Sequence, residues 1–193
     1  MLVALLIIAI VDMIIVKSKE RICFDDEIYK RPGLIALDKY PELADANIHF
    51  LSQGRAKHWA HKAVPRISTL LLPAKYRTYQ IWIAEDQYGT LVSTLFKNLS
   101  ADAQVGVLCH ELAHVLDYKE KNSIEMIWFG LKYWWSDQYK AVYERATNCV
   151  ALDRGVRSEI LTWTNEIHSF LVSDGRGHFY HSPQEIRNHE GCL

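Results

Sequence analysis

Surplus charge of either sign is what this 193-residue chain lacks most clearly: 22 Lys and Arg stand against 23 Asp and Glu, a formal net charge of −1. No basic stripe is left over to engage phosphates, so nucleic acid is excluded as a partner. Cysteine is scarce too. Cys23, Cys109, Cys149 and Cys192 are too few to act as a disulfide framework for a chain of this size, and Cys109 and Cys149 fall in apolar helical stretches where small buried thiols are the expectation. The start of the chain lacks the positive n-region and small-residue cleavage site of a secretory leader, because Lys17, Lys19 and Arg21 follow the apolar run instead of preceding it.

That run, Met1 to Val16, is the one strongly apolar segment of low complexity. Spanning a bilayer takes about 20 residues with a lower bound near 17, and Asp12 adds a further cost. The run still reads as an uncleaved single-pass anchor in contact with membrane lipid. The positive-inside rule then puts Lys17, Lys19, Arg21, Lys30 and Arg31, and the domain behind them, on the cytoplasmic side. A buried first helix of the globular domain is the alternative.

The rest of the chain, at 49% hydrophobic residues overall, suits a single domain over 46–193, with 17–45 as linker and lead-in. Arg31-Pro32-Gly33 reads as a turn and Pro41-Glu42-Leu43 as the start of a short helix. Ile48–Leu51, Ile67–Leu72 and Tyr79–Ile83 are candidate strands, each bounded by Gly, Pro or charge. His58 and His61 between them read as surface histidines. Leu91, Val92, Leu95, Phe96 and Leu99 recur at helical spacing, as do Ile160, Leu161, Trp163, Ile167, Phe170 and Leu171, the latter ended by Asp174-Gly175-Arg176-Gly177. The expected class is α+β, mainly helical with a small sheet.

The chemistry centres on His110-Glu111-Leu112-Ala113-His114. Residues four apart share one helix face, so two imidazoles can reach one metal ion with Glu111 beside them. Ser100 is a good N-cap, Asp102 puts negative charge in the first turn, and Ala103, Val107, Leu108, Leu112, Val115 and Leu116 supply a burying face, which predicts a helix from Ala101 to Tyr118. A catalytic zinc needs a third protein ligand. Glu144 is the best candidate, in a second helix over Tyr143–Gly155 whose small residues Ala146 and Ala151 allow close approach. Asn148, one turn later, is placed to hydrogen-bond a ligand histidine. A solvated Glu144 paired with Lys140 or Arg145 is the competing reading.

HELAH followed by a helix that opens with Glu144 resembles the gluzincin metallopeptidases, in particular the membrane-associated group of the CAAX prenyl protease and the heat-shock membrane protease. The resemblance covers roughly Tyr79 to Asn188. It implies a zincin-like domain holding one zinc ion on His110, His114 and Glu144. Where that group commonly reads E-x-x-A-D, this chain has Thr147 and Asn148 in the last two places, so the second partner carries no charge. The family also places a His before a Pro-started helix near the zinc. Here Ser182 stands between His181 and Pro183, and by the resemblance His181 is the candidate for stabilising a developing oxyanion, ahead of Tyr180 and His178. Ser182 with Glu185 reads as a capping box.

Two further stretches bear on access. Tyr79–Ile83 precedes the HELAH helix as an edge strand that pairs with an extended substrate would, or else is a core strand. Ile124–Trp135, rich in Trp, is too short to span a bilayer and reads as an interfacial segment or as a lid over the site. The expected function is a membrane-anchored zinc endopeptidase in which Glu111 is the general base and proteins or peptides, membrane proteins among them, are substrates. A catalytically inactive metal-binding scaffold that recruits a membrane partner is the alternative.

Overall fold

Period-two burial puts two long strands at the centre of the sheet. In the computed structural model, which describes residues 21–56, 59–87, 89–188 and 192, β2 (Asn47–Ala56) buries Ile48 and Phe50, and β4 (Thr78–Gln87) buries Tyr79, Ile81 and Ile83. The two run parallel in a register that sets Ile48 against Tyr79 and Phe50 against Ile81, so the apolar side chains share one face. Parallel β1 (Ile22–Phe24) flanks β2, antiparallel β3 (His61–Pro65) flanks β4, and the order is β1-β2-β4-β3. The helices are α1 (Glu27–Asp38), α2 (Ala101–Glu120), α3 (Ser123–Trp135), α4 (Asp137–Asp153), α5 (Arg157–Ser173) and α6 (Pro183–Asn188). The fold is α+β, mainly helical with one small mixed sheet.

Several expectations are corrected. Residues read as a linker supply β1 and α1 to the core, where Tyr29 and Ala36 are buried. Arg31-Pro32-Gly33 lies inside α1, not in a turn. Gly33 lets the Phe24 ring rest directly on the helix backbone, since a Cβ there would lie 2.5 Å from the ring and displace it. Ile67–Leu72 is no strand: Ile67–Thr69 is a 3-10 turn, with Ile67 and Leu71 exposed. Thr69 closes the turn by donating its hydroxyl to the Arg66 carbonyl and accepting from the Thr78 amide. The strand between β2 and β4 in the chain is β3 instead. Leu91–Leu99 forms two 3-10 pieces, Gly89–Thr94 and Phe96–Asn98, because Leu95 is extended between them. The anchor expected at Met1–Val16, and His58, lie outside the described residues. Among the described residues no helix is long and apolar enough to cross a membrane.

Two contacts seat α2. Gly106 faces the first turn of α5 so closely that a Cβ would meet the Glu159 carbonyl oxygen at 2.3 Å. At its other end Arg77, buried just before β4, donates to the Lys121 carbonyl at 2.6 Å and to Ser123 Oγ at 3.2 Å. That guanidinium satisfies acceptors that the end of a helix leaves open, and it favours the negative end of the helix dipole.

Candidate metal centre

The start of α2 is capped as its sequence predicts, Ser100 Oγ accepting from the Ala103 amide, and this phases the helix so that His110, Glu111 and His114 are all buried. Antiparallel packing of α4 brings Glu144 to the same place, with only 2% of its surface exposed. His110 Nε2 lies 3.1 Å from Glu144 Oε2 and 3.2 Å from His114 Nε2, and His114 Nε2 lies 3.4 Å from Glu144 Oε2. Donor atoms bonded at zinc–nitrogen distances in a tetrahedron stand about 3.3 Å apart. The triangle therefore has the size of one face of a metal's coordination shell.

Hydrogen bonds behind the rings set their tautomers. His110 Nδ1 is 2.7 Å from Asn148 Oδ1, an acceptor, so the proton sits on Nδ1 and the lone pair on Nε2. His114 Nδ1 is 3.3 Å from Thr147 Oγ1, whose own proton goes to the Tyr143 carbonyl at 2.9 Å, so His114 is oriented the same way. Three lone-pair atoms thus converge with no proton between them. Positive charge relieves that repulsion, whether as a proton shared with Glu144 or as a metal ion, and the buried His110–His114–Glu144 group is able to hold a metal ion.

Glu144 is further fixed by Tyr133 of α3, whose hydroxyl donates to its Oε1. Burial alone would raise the Glu144 pKa, but the two imidazoles more than offset it and hold the carboxyl well below its usual range. Burial raises Glu111 to about 7, with Glu144 adding to the rise and His110 opposing it. Glu111 Oε2 has no hydrogen-bond partner among the described residues, and the Ala63 amide of β3 reaches the carboxylate. Tyr143 stacks on His114 with ring centroids 5.2 Å apart and anchors its hydroxyl on Asp117 at 2.7 Å.

The site opens on a cavity of about 960 Å³ lined by His110, Glu111, His114 and Glu144, by β3, and by α3 residues such as Met126 and Leu131. The edge strand here is β3, while Tyr79–Ile83 lies in β4, paired on both sides. Ala84 donates to the Ala60 carbonyl and Arg66 to that of Thr78, so in the alternating antiparallel ladder Ala63 turns its N–H and C=O away from β4. Its carbonyl accepts from the Tyr118 hydroxyl at 3.3 Å. His61, expected at the surface, lines the cavity, and burial pushes its imidazole down to about 3.

His181 is placed differently from expectation. It is fully buried beside Cys149 and Cys192 and does not line the cavity. Tyr180 lines it instead, its ring 5.8 Å from that of His110. Burial, with Glu144 and Glu111 adding to it, raises the Tyr180 pKa well above its ordinary value, so its hydroxyl stays protonated. His178 is exposed and rests on Phe179. Cys149 is not a free thiol but is joined to Cys192 in a disulfide across 43 residues. Sequence reading also missed Thr147 and Tyr133 as supports of the ligands. Tyr133 lay in the aromatic stretch already singled out, but its aim at Glu144 depends on how α3 folds back on α4.

No protein-family model matches the chain, and no curated protein or solved structure does either.

Proposed function

We propose that the protein is a zinc-dependent endopeptidase of the gluzincin kind, with His110, His114 and Glu144 as the ligands. One observation carries the reading: three lone-pair atoms 3.1–3.4 Å apart share a cavity with a buried carboxyl, Glu111, whose Oε2 has no hydrogen-bond partner among the described residues. Two nitrogens and one carboxylate oxygen suit zinc, and three protein ligands leave a position for water or substrate. When bound, the ion supplies Lewis-acid polarisation of the scissile carbonyl and makes a water acidic enough to attack near neutral pH.

The chain's own groups do the rest. Glu111 accepts the proton of the attacking water and passes it to the leaving amine, a role that suits a carboxyl with pKa near the working pH. Tyr180 replaces His181 as the donor for the negative charge that develops on the carbonyl oxygen. An extended substrate pairs with the outward main chain of β3 around His61, so that internal peptide bonds are cut. The face of α3 carrying Trp128, Trp134 and Trp135 is exposed, Trp134 at 80%. With Met1–Val16 as anchor, that face sits in the headgroup region and the cavity takes membrane proteins or peptides near the cytoplasmic surface.

The test is metal content alongside cleavage of a casein or quenched-peptide substrate. Wild type should bind zinc and cleave. Glu144→Ala should lose the metal, while Glu111→Gln and Tyr180→Phe should keep it and lose rate by about 10²–10⁴-fold and 10²–10³-fold. Zinc bound equally by wild type and Glu111→Gln, with no cleavage by either, would replace the hydrolase with the scaffold reading.

A further inference from the structure

A second set of ligating side chains closes on itself away from the cavity. Cys149 lies on α4 directly after Asn148, and Cys192 lies in the tail beyond α6, with Cα atoms 5.3 Å apart across the disulfide. His181 is fully buried, and among the described residues neither of its ring nitrogens has a hydrogen-bond partner. Its ligand atom and the two sulfurs all lie within 4.8 Å of one another. A buried imidazole with both nitrogens unsatisfied is costly and needs an explanation. The disulfide does not provide one, since its sulfurs offer the ring no proton and accept one poorly. Two thiolates and a neutral imidazole, by contrast, are a complete set of soft donors for one thiophilic ion.

We propose that Cys149, Cys192 and His181 form a second metal site that alternates with the disulfide. A dithiol or phosphine reductant gives two electrons to the S–S bond, which breaks, and each sulfur takes up a proton as a thiol while the reductant is oxidised. Binding of a divalent ion such as Zn²⁺ then releases those two protons to solvent, and His181 contributes a ring lone pair. Three protein ligands leave a fourth position for water. The ion does the mechanical work of the disulfide. It ties the tail to α4, joining the two segments that also carry Asn148 and Tyr180 and that Arg145 already bridges through the Tyr180 carbonyl and Glu185. The C-terminal segment therefore stays pinned beside the cavity under both oxidising and reducing conditions. This site shares no residue with the hydrolase centre, so it stands whether or not that reading does.

The experiment compares full-length protein in oxidised form and after reduction with a phosphine, each equilibrated with Zn²⁺ or, as an optical probe, Co²⁺. Reduction should raise bound metal by about one equivalent, and the Co²⁺ form should gain thiolate-to-metal charge-transfer absorption in the near ultraviolet. Cys192→Ser and His181→Ala should each abolish that increment while the metal already held by the oxidised protein stays bound. No increment on reduction would overturn the proposal. So would an increment that survives in the Cys149→Ser/Cys192→Ser double variant, or a Co²⁺ spectrum unchanged by His181→Ala.

Discussion

Asn148 supplies a neutral oxygen at the back of His110 where a carboxylate would pull harder on the Nδ1 proton. The bond still fixes the tautomer, and partners of this kind support metal affinity by about 10–100-fold. Asn148→Ala should weaken metal binding by that factor in competition with a chromophoric chelator, and Asn148→Asp should not. Glu144 and Asn148 could be read from sequence because residues four apart on one helix share a face whatever the helix packs against. Thr147 could not. It sits beside Asn148 in the chain, yet its role depends on the Tyr143 carbonyl taking its proton. His181 and Tyr180 exchange expected places for a similar reason: neighbouring residues in an extended segment point to opposite sides, and only packing decides which side is the cavity.

At the scale of elements, the meeting of α2 with α5 depends on Gly106. In an exposed helix Gly→Ala stabilises by about 1 kcal/mol. Here the added methyl would meet the backbone oxygen of Glu159 at 2.3 Å, which cannot rotate away, so the sign reverses. Gly106→Ala should destabilise by about 1–3 kcal/mol in urea unfolding and loosen metal binding with it. The exposed face of α3 makes a different prediction. Replacing Trp128, Trp134 and Trp135 with Ser should reduce binding to anionic lipid vesicles and leave cleavage of a soluble peptide unchanged. Equal vesicle binding by wild type and variant would remove α3 from the membrane reading. Helices α2, α4, α5 and α6 were legible because caps and 3.6-residue periodicity are local, as at Ser100 and at Ser182 with Glu185, whereas α1 was not, because Pro32-Gly33 inside it reads as a turn. The strand β3 was not, because His-Lys-Ala-Val-Pro has no strong alternation and becomes a strand only by pairing with β4.

Over the whole molecule, the C-terminal segment is fastened to α4 by an ion pair as well as by sulfur. Arg145 holds the Glu185 carboxyl down at about 2 against a usual 4.5, with the Ser182 amide helping. A carboxyl whose folded pKa is depressed stabilises the fold fully above its unfolded pKa, and that contribution is lost as pH falls toward the folded value. The stability difference between wild type and Arg145→Gln should therefore be constant above about pH 4.5 and shrink between there and pH 2. Urea midpoints measured across that range check it. A gap that stays constant down to pH 2 would assign the effect of Arg145 to its bond with the Tyr180 carbonyl instead.

What the sequence by itself determined is local: the α2 helix, the pairing of His110 with His114 on one face of it, Glu111 beside them, and a second helix that presents Glu144 with Asn148 one turn on. Each follows from backbone periodicity and capping, which act over a few residues. Only the tertiary structure decided that α4 lies at donor distance from α2, that β3 and not β4 is the free edge, that Tyr180 faces the cavity, and that Cys149 meets Cys192 and His181. Those outcomes rest on contacts between residues far apart in the chain, where shape and burial choose among partners that no local pattern distinguishes.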